Sequence, residues 1–559
     1  VGIILSIHLE SISSQIPVFC FSRSYNYCIC LLILALAGCQ KVHSFNKLPA
    51  PLPQDPLVQV YFNHSESSEF TEPYRQQVRL GDNLEQQIVD TISQAKSTVD
   101  VAVQELRLPK VAQALVDRQK AGVKVRLILE NTYSRPWSSF TSEEISKLEK
   151  REQERYQEFR KFIDINQDNQ LSPEEINQRD ALIILQNAKV PLIDDKADGT
   201  AGSSLMHHKF VIVDNSIVIV TSANFTLSDV FGDYSNPSSL GNANNFLKIE
   251  SPELAALFTE EFNTMWGDGP GGKPDSRFGL QKPVRSPKTI TLGETKITVQ
   301  FSPTSPTQPW SQSTNGLIGN TLESSTKYVD MALFVFSDQQ LANILENRHQ
   351  QNVNIRALIE PQFAYRSYSE GLDMMGFALA EDCKYEVDNH PWKNPITTVG
   401  VPTLPKGDLL HHKFAVIDGK TVITGSHNWS EAANNGNDET LLVIESPKVA
   451  AHYVREFARL YTKVKLGLPP TIQQKIAAEV KQCPQIKSPT SSANKILTKI
   501  NLNTSSLEEL ATLPGVGKKL AQRIILARQQ QKFTSLKDLE KVPGVSAKMI
   551  DKWQDNIIL

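Results

Sequence analysis

The stretch "LMHHKFVIVDN", residues 205–215, decides the fold. Its centre, Phe210 to Val213, is a short apolar, β-branched run and reads as a buried strand. His207, His208 and Lys209 enter the strand, and Asp214 leaves it. Alternation along a strand puts His207 and Lys209 on one face and turns His208 to the other, where a packing role is expected. Asp214 falls seven residues after His207, at the far end. Ser222 and Asn224 follow in "TSANFT".

The same pattern returns in "LLHHKFAVIDGKTVITGSHNWS", residues 409–430, which supplies His411, Lys413, Asp418, Ser426 and Asn428. Four further blocks repeat in the same order. "VQVYFN" at 58 matches "ITVQFS" at 297, and "STVDVAVQEL" at 97 matches "KYVDMALFVF" at 327. "LVDRQKAGVKVRLILE" at 115 matches "LENRHQQNVNIRALIE" at 345, and "LKIESPELAALFTEEF" at 247 matches "LVIESPKVAAHYVREF" at 442. Five matched blocks in one order imply an internal duplication. Each copy alternates β-branched runs with amphipathic stretches, so the expected class is α/β, a sheet flanked by helices, made twice. The expected boundaries are 57–266 and 296–465, with linkers at 267–295 ("GDGPGGKPD") and 466–494 and a separate tail from 495.

Imidazole serves as nucleophile or as proton donor near neutral pH, and a lysine beside it stabilises phosphate oxygens. A zinc site would not need paired lysines, whose charge opposes a cation. The doubled His-x-Lys-x4-Asp pattern resembles the phospholipase D superfamily over roughly residues 58–465. That resemblance implies that both motifs share one site. One histidine would attack phosphorus and the other protonate the leaving oxygen, while Lys209, Lys413, Asn224 and Asn428 hold phosphate oxygens. No metal would be required. Asp214 and Asp418 enter the expected catalytic set with the motif. In the family a residue before the "IES" strand bonds the motif histidine. Aligned within each copy, this pairs Asn244 with His207 and Glu439 with His411, an amide/carboxylate asymmetry similar to that of tyrosyl-DNA phosphodiesterases. Asn242 and Asn245 are alternatives to Asn244. On this pairing His207 is the nucleophile and His411 the acid.

Copy one carries an insertion, about residues 141–182. "DINQDNQLSPEE" puts Asp164, Asn166, Asp168, Gln170 (through its carbonyl), Ser172 and Glu175 at the ligand positions of an EF-hand loop, with Asn169 where glycine is usual. Calcium there would be structural, between two helices read from "SEEISKLEKREQERYQEFRKF" and "PEEINQRDALIILQNA".

Net charge is −3, so any nucleic-acid surface must be local. From Lys495 onward, eleven Lys/Arg face six Asp/Glu, a net of +5. "INLNTSSLEELATLPGVG" there resembles the tandem helix-hairpin-helix module of competence-type DNA receptors. In it Gly515, Gly517 and Gly544 would admit a phosphate, helped by Lys518 and Lys519. At the other end, "LALAGC" closes an apolar run and resembles a bacterial lipobox, so residues 1–38 would be a signal peptide and Cys39 a lipid anchor. A Pro-rich tether, 39–56, would follow. These features point to an exported phosphodiesterase tethered to a bacterial membrane, on its periplasmic or cell-surface side, and acting on DNA. A phospholipase D using phospholipid substrate and a non-catalytic DNA receptor are the competing readings.

Overall fold

The computed structural model describes residues 48–199, 204–386, 388–483 and 500–559, the last without 512, 514–515, 547–548, 551–552 and 554–556. The signal-peptide and Cys39 readings lie outside these residues.

The duplication is visible as two sheets. The first holds seven strands: Val58–Phe62 (β1), Thr98–Val103 (β2), Lys124–Leu129 (β3), Leu192–Asp194 (β4), Lys209–Val213 (β5), Ile217–Thr221 (β6) and Asn245–Glu250 (β7), ordered β1-β7-β6-β5-β2-β3-β4. The second holds nine: Lys288–Leu292 (β8), Thr295–Phe301 (β9), Tyr328–Leu333 (β10), Asn354–Ile359 (β11), Val399–Val401 (β12), Lys413–Ile417 (β13), Thr421–Gly425 (β14), Thr440–Glu445 (β15) and Lys465–Leu466 (β16). Its order, β8-β9-β15-β14-β13-β10-β11-β12-β16, repeats the first with one strand added at each edge. Both motif strands, β5 and β13, are buried at every position, which is why they read as unbroken apolar runs rather than alternating ones.

The linkers shrink accordingly. Residues 288–292, expected in a linker, pair with β9 as an edge strand. Residues 466–494 begin with the helix Pro470–Gln482, and Cys483 behind it is bonded to Cys383. The two halves share one apolar layer, in which Val60, Phe210 and Leu247 of the first meet Ile297, Phe414 and Leu442 of the second. The helices Pro252–Trp266 and Pro447–Tyr461 contribute to that layer, which adds to a separate apolar core on the other face of each sheet. A duplicated ion pair stiffens each sheet: Arg126 with Asp100 and Arg356 with Asp330, both bidentate at 2.7 Å.

The insertion contains Lys150–Ile163 (α1) and Pro173–Arg179 (α2) around the 164–175 loop. Each expected helix is split. The first breaks between Ser146 and Lys150. The second breaks at Asp180, whose carboxylate caps the next helix at Leu182 N.

Candidate active site

Where β5 and β13 begin, the two halves meet backbone to backbone. His207 N donates to Asp438 O at 2.9 Å, and His411 N donates to Ala243 O at 3.1 Å. Each motif is therefore seated on a segment of the other half, the one leading into β15 for His207 and into β7 for His411. The side chains follow the same exchange. His207 Nδ1 bonds Glu439 Oε2 at 2.7 Å, and His411 Nδ1 bonds Asn244 Oδ1 at 3.0 Å. The pairing expected within each copy is thus corrected: each histidine is oriented by the opposite copy. Alignment finds equivalent positions, but not which neighbour a residue faces across an interface. Asn242 and Asn245 are excluded as the partner. Asn242 Nδ2 donates to Asp229 Oδ1, and Asn245 Nδ2 faces His412 Nδ1 at 3.3 Å.

Both orienting groups are themselves held. Ser222 Oγ donates to Asn244 Oδ1 and Ser426 Oγ to Glu439 Oε2, each at 2.7 Å. Asn437 Nδ2 adds a bond to Glu439 Oε1 at 3.1 Å. With Nδ1 of each ring occupied by a partner, Nε2 is left for chemistry. The rings are each 7% exposed, so the reacting atoms lie on the floor of a cleft.

The lysines are almost fully buried. Lys209 Nζ donates to His207 O at 2.9 Å and to Gln104 Oε1 at 3.3 Å; Lys413 Nζ donates to His411 O at 2.6 Å and lies over the Phe334 ring at 4.7 Å. Burial lowers Lys209 to about 8, and burial together with Lys209's charge drives Lys413 well below its ordinary value. Burial pushes His207 down to about 4 against the pull of Glu439, while burial and both lysines hold His411 well below its ordinary value. Glu439 is kept ionised, at about 2, by His207, His427 and Lys209 despite its burial. The resting floor thus combines two neutral imidazoles with a carboxylate and lysine charge, a place an anion would fill. Asn224 and Asn428 each keep a buried Oδ1 without a partner, so both amides at the floor are incompletely satisfied.

Asp214 and Asp418 are not in the site. Asp214 accepts from Lys96 N, Ser97 N and Thr98 N, and Asp418 from Thr326 N, Lys327 N and Tyr328 N. Both sit in left-handed backbone at the strand's far end, φ 50° and 52°, and tie the next strand's entry to it. His208 and His412 are packing residues with polar anchors: His208 bonds Thr440 Oγ1 and Glu261, and His412 bonds Glu456 at 3.0 Å. Asp229 escaped the sequence reading. Its Oδ1 lies 3.6 Å from His411 Nδ1 and its Oδ2 accepts from Asn224 N. It stands in the short helix Leu227–Val230, whose counterpart Glu431–Asn435 carries Ala433 at the same step from its capping residue, so the repeat gave no signal for it.

The 164–175 loop keeps the EF-hand backbone path in one respect: Asn169, at the glycine position, is left-handed with φ 63°. Its oxygens, however, are spent on its own amides. Asp164 accepts from Asp168 N and Asn169 N, Asp168 from Gln170 N, and Glu175 from Ile165 N, Asn166 N and the Ser172 hydroxyl. Among the described residues no group of three or more His, Cys, Asp or Glu side chains is placed to hold a metal ion. Of the six expected positions, three carboxylates, Asp164, Asp168 and Glu175, accept from the loop's own amides.

In the tail, Gly517 is the N-cap of the helix Lys518–Gln530, exposed, with Lys518 and Lys519 exposed in its first turn. Gly544 has φ 99°, and a Cβ there would meet Arg523 Nη1 at 2.8 Å. Arg523 itself donates to Pro543 O, which joins the two hairpins. Gly515 lies outside the described residues.

Comparison with known proteins agrees with this geometry. The family model described as "Cardiolipin synthase, PLD-like domain" matches residues 88–266 and 318–461, and a helix-hairpin-helix motif matches 496–558. Mitochondrial cardiolipin hydrolase of Mus musculus is 26% identical over 182 residues, covering 31% of this chain and 72% of that protein. Phospholipase D of Rickettsia felis is 26% identical over 140 residues, covering 25% and 60%. This chain spans about half the length of most of the curated relatives it matches. The crystal structure of phosphatidylserine synthase from Haemophilus influenzae covers 79% of this chain and 97% of its own, with 12% identity and a TM-score of 0.43. Two copies of one motif meeting at a single floor, inside a family match that takes in more than half the chain, identify this protein as a member of the phospholipase D-like family of phosphodiesterases.

Proposed function

We propose that the protein is an exported nuclease that cleaves DNA phosphodiesters through a phosphohistidine. One observation carries the choice of DNA: the phosphodiesterase core is joined to a helix-hairpin-helix module, which phospholipid hydrolysis leaves without a role. The Cys383–Cys483 disulfide favours an oxidising compartment, in line with export and a lipid anchor at Cys39.

His207 Nε2 attacks phosphorus, forming an N–P bond as the P–O bond to the leaving group breaks. Its ring becomes cationic, and Glu439 at 2.7 Å from Nδ1 offsets that charge. His411, oriented by a neutral amide, gives its Nε2 proton to the leaving oxygen. It gains that proton when the phosphate's negative charge offsets Lys209 and Lys413. Water then donates a proton to His411 and attacks phosphorus, and the N–P bond breaks. The lysines and the Asn224 and Asn428 amides hold the non-bridging oxygens throughout. The assignment of roles is the one the within-copy pairing suggested, but its reason is reversed: the nucleophile takes the carboxylate.

A phospholipase D is the second reading, favoured by relatives named cardiolipin hydrolase and phospholipase D. Purified protein offered DNA, RNA and phosphatidylcholine side by side decides. DNA turned over fastest is expected; phosphatidylcholine hydrolysed faster than DNA would sink the nuclease assignment. Loss of residues 495–559 should raise KM for long DNA without changing kcat on bis(p-nitrophenyl) phosphate, because the tail supplies uniform binding.

A further inference from the structure

The insertion does more than interrupt the first repeat. A cleft of about 650 Å³ opens beside His411 and Asn224, and one of its walls is α1. Positions 151, 154, 158 and 161 of α1 line this cleft, at the spacing of one helical face. The adjoining positions dock the helix: Arg155 Nη2 bonds Glu105 Oε2 at 2.6 Å, Tyr156 stacks on Trp137, and Phe159 packs edge-on to the same ring. Glu105 directly follows Gln104, which touches Lys209, so the docking point adjoins the catalytic floor. The opposite wall comes from the second repeat, with Phe334, Leu409 and His411.

Two features of this cleft are those of a single-strand track. Phe159, Tyr234 and Phe334 are half-buried in its lining and present aromatic rings. Arg151 and Lys161 are exposed on the wall, about 15 Å apart along the helix axis, with Glu154 and Glu158 between them and Lys161 Nζ donating to Glu158 Oε1 at 3.0 Å. Base-stacking rings beside cations that follow the backbone are how proteins hold unpaired strands. The volume is that of a small-molecule site, with room for a nucleotide or two.

Resting on the nuclease reading, we propose that α1 builds a flanking subsite for single-stranded DNA next to the scissile phosphate, with Tyr234 as a base platform and Arg151 and Lys161 as phosphate contacts. The second repeat has no insertion, so the subsite lies on one side only and gives the strand a direction through the site.

The test compares the full chain with Arg151→Ala/Lys161→Ala and with Tyr234→Ala. Each is offered a labelled 15-nucleotide single strand, the blunt duplex of that sequence, and bis(p-nitrophenyl) phosphate. The parent should favour the single strand over the duplex in kcat/KM by about tenfold or more. Both variants should raise KM for the single strand by about tenfold, leaving kcat on the small diester within about twofold. Both arginine and lysine side chains are exposed, so the double variant tests the idea even if Tyr234→Ala folds poorly. Equal cleavage of duplex and single strand, or unchanged KM in the double variant, overturns the subsite. Cleavage of neither DNA form alongside hydrolysis of phosphatidylcholine vesicles overturns the nuclease reading and the subsite with it.

Discussion

The two repeats have the same strand order and the same motif, yet their histidines do not sit in the same surroundings. His207 looks onto a carboxylate, His411 onto an amide with Asp229 just beyond it. Lys209 leans on the Gln104 amide, whereas Lys413 lies over the Phe334 ring at the matching strand position. The first repeat adds α1 beside the cleft; the second adds edge strands and a disulfide. On the proposed mechanism, what separates the nucleophile from the acid is therefore not the motif, which is identical, but what the other half contributes.

That contrast can be broken most severely at the histidines. His207→Ala should lose turnover on every diester by about 10⁴-fold or more, since nothing else forms the covalent bond. His411→Ala should cost about 10²- to 10⁴-fold on DNA but far less on bis(p-nitrophenyl) phosphate, whose leaving group needs no proton. Equal losses on both substrates for both variants would show that the roles are not divided this way. A label trapped from substrate should appear on the His207 peptide.

Exchanging the partners is gentler. Glu439→Gln should slow turnover by about 10²-fold, because the cationic phosphohistidine loses its counter-charge. Asn244→Asp should raise the pKa of His411, the proton donor, and carry the alkaline limb of the kcat profile to higher pH, at a cost below about tenfold. A greater loss from Asn244→Asp than from Glu439→Gln would reverse the assignment.

Lys209 sets a milder limit. Its charge is present below its lowered value of about 8 and is lost above it, so kcat/KM should fall as pH rises through that point. Lys209→Arg should carry the fall to higher pH, since a guanidinium does not deprotonate there.

Stability should show the buried imidazoles. His207 and His427 are lowered to about 4 and His64 to about 3, chiefly by burial. An unfolded histidine titrates near 6.5, so between about 6.5 and 4 the unfolded chain binds more protons and acid favours it. Melting temperature should fall as pH drops through that window, and a profile flat across it would contradict neutral buried rings. The smallest effect concerns the 164–175 loop, where we propose structural calcium. Since Glu175 already closes that loop, calcium should raise the melting temperature by only about one or two degrees, and Glu175→Gln should remove the rise.

Much of this was legible in the sequence. The five repeated blocks marked the duplication because each is a strand or helix buried in both copies, and burial constrains side-chain type. His207, Lys209, His411 and Lys413 were legible because strand alternation fixes their face. The exchange of Asn244 and Glu439 was not, because it depends on how two sheets pack, and no local pattern encodes that. Asp214 and Asp418 were given the wrong role. Their place at the strand's far end was read correctly, but they entered the catalytic set with the motif, and a strand of five residues holds them away from the floor. The insertion was found from its loop, while its contribution to the cleft rests on the Glu105–Arg155 pair, between residues fifty positions apart.

The crossed seating of the histidines also bears on symmetry. A dimer of one repeat related by a twofold axis would present the same side chain to both rings, so any change that improved the nucleophile would alter the acid equally. Joining the halves in one chain removes that constraint. Position 244 can be an amide while position 439 is a carboxylate, and each ring can be tuned without touching the other. A single polypeptide is then the means by which a twofold-symmetric scaffold comes to have a chemical polarity.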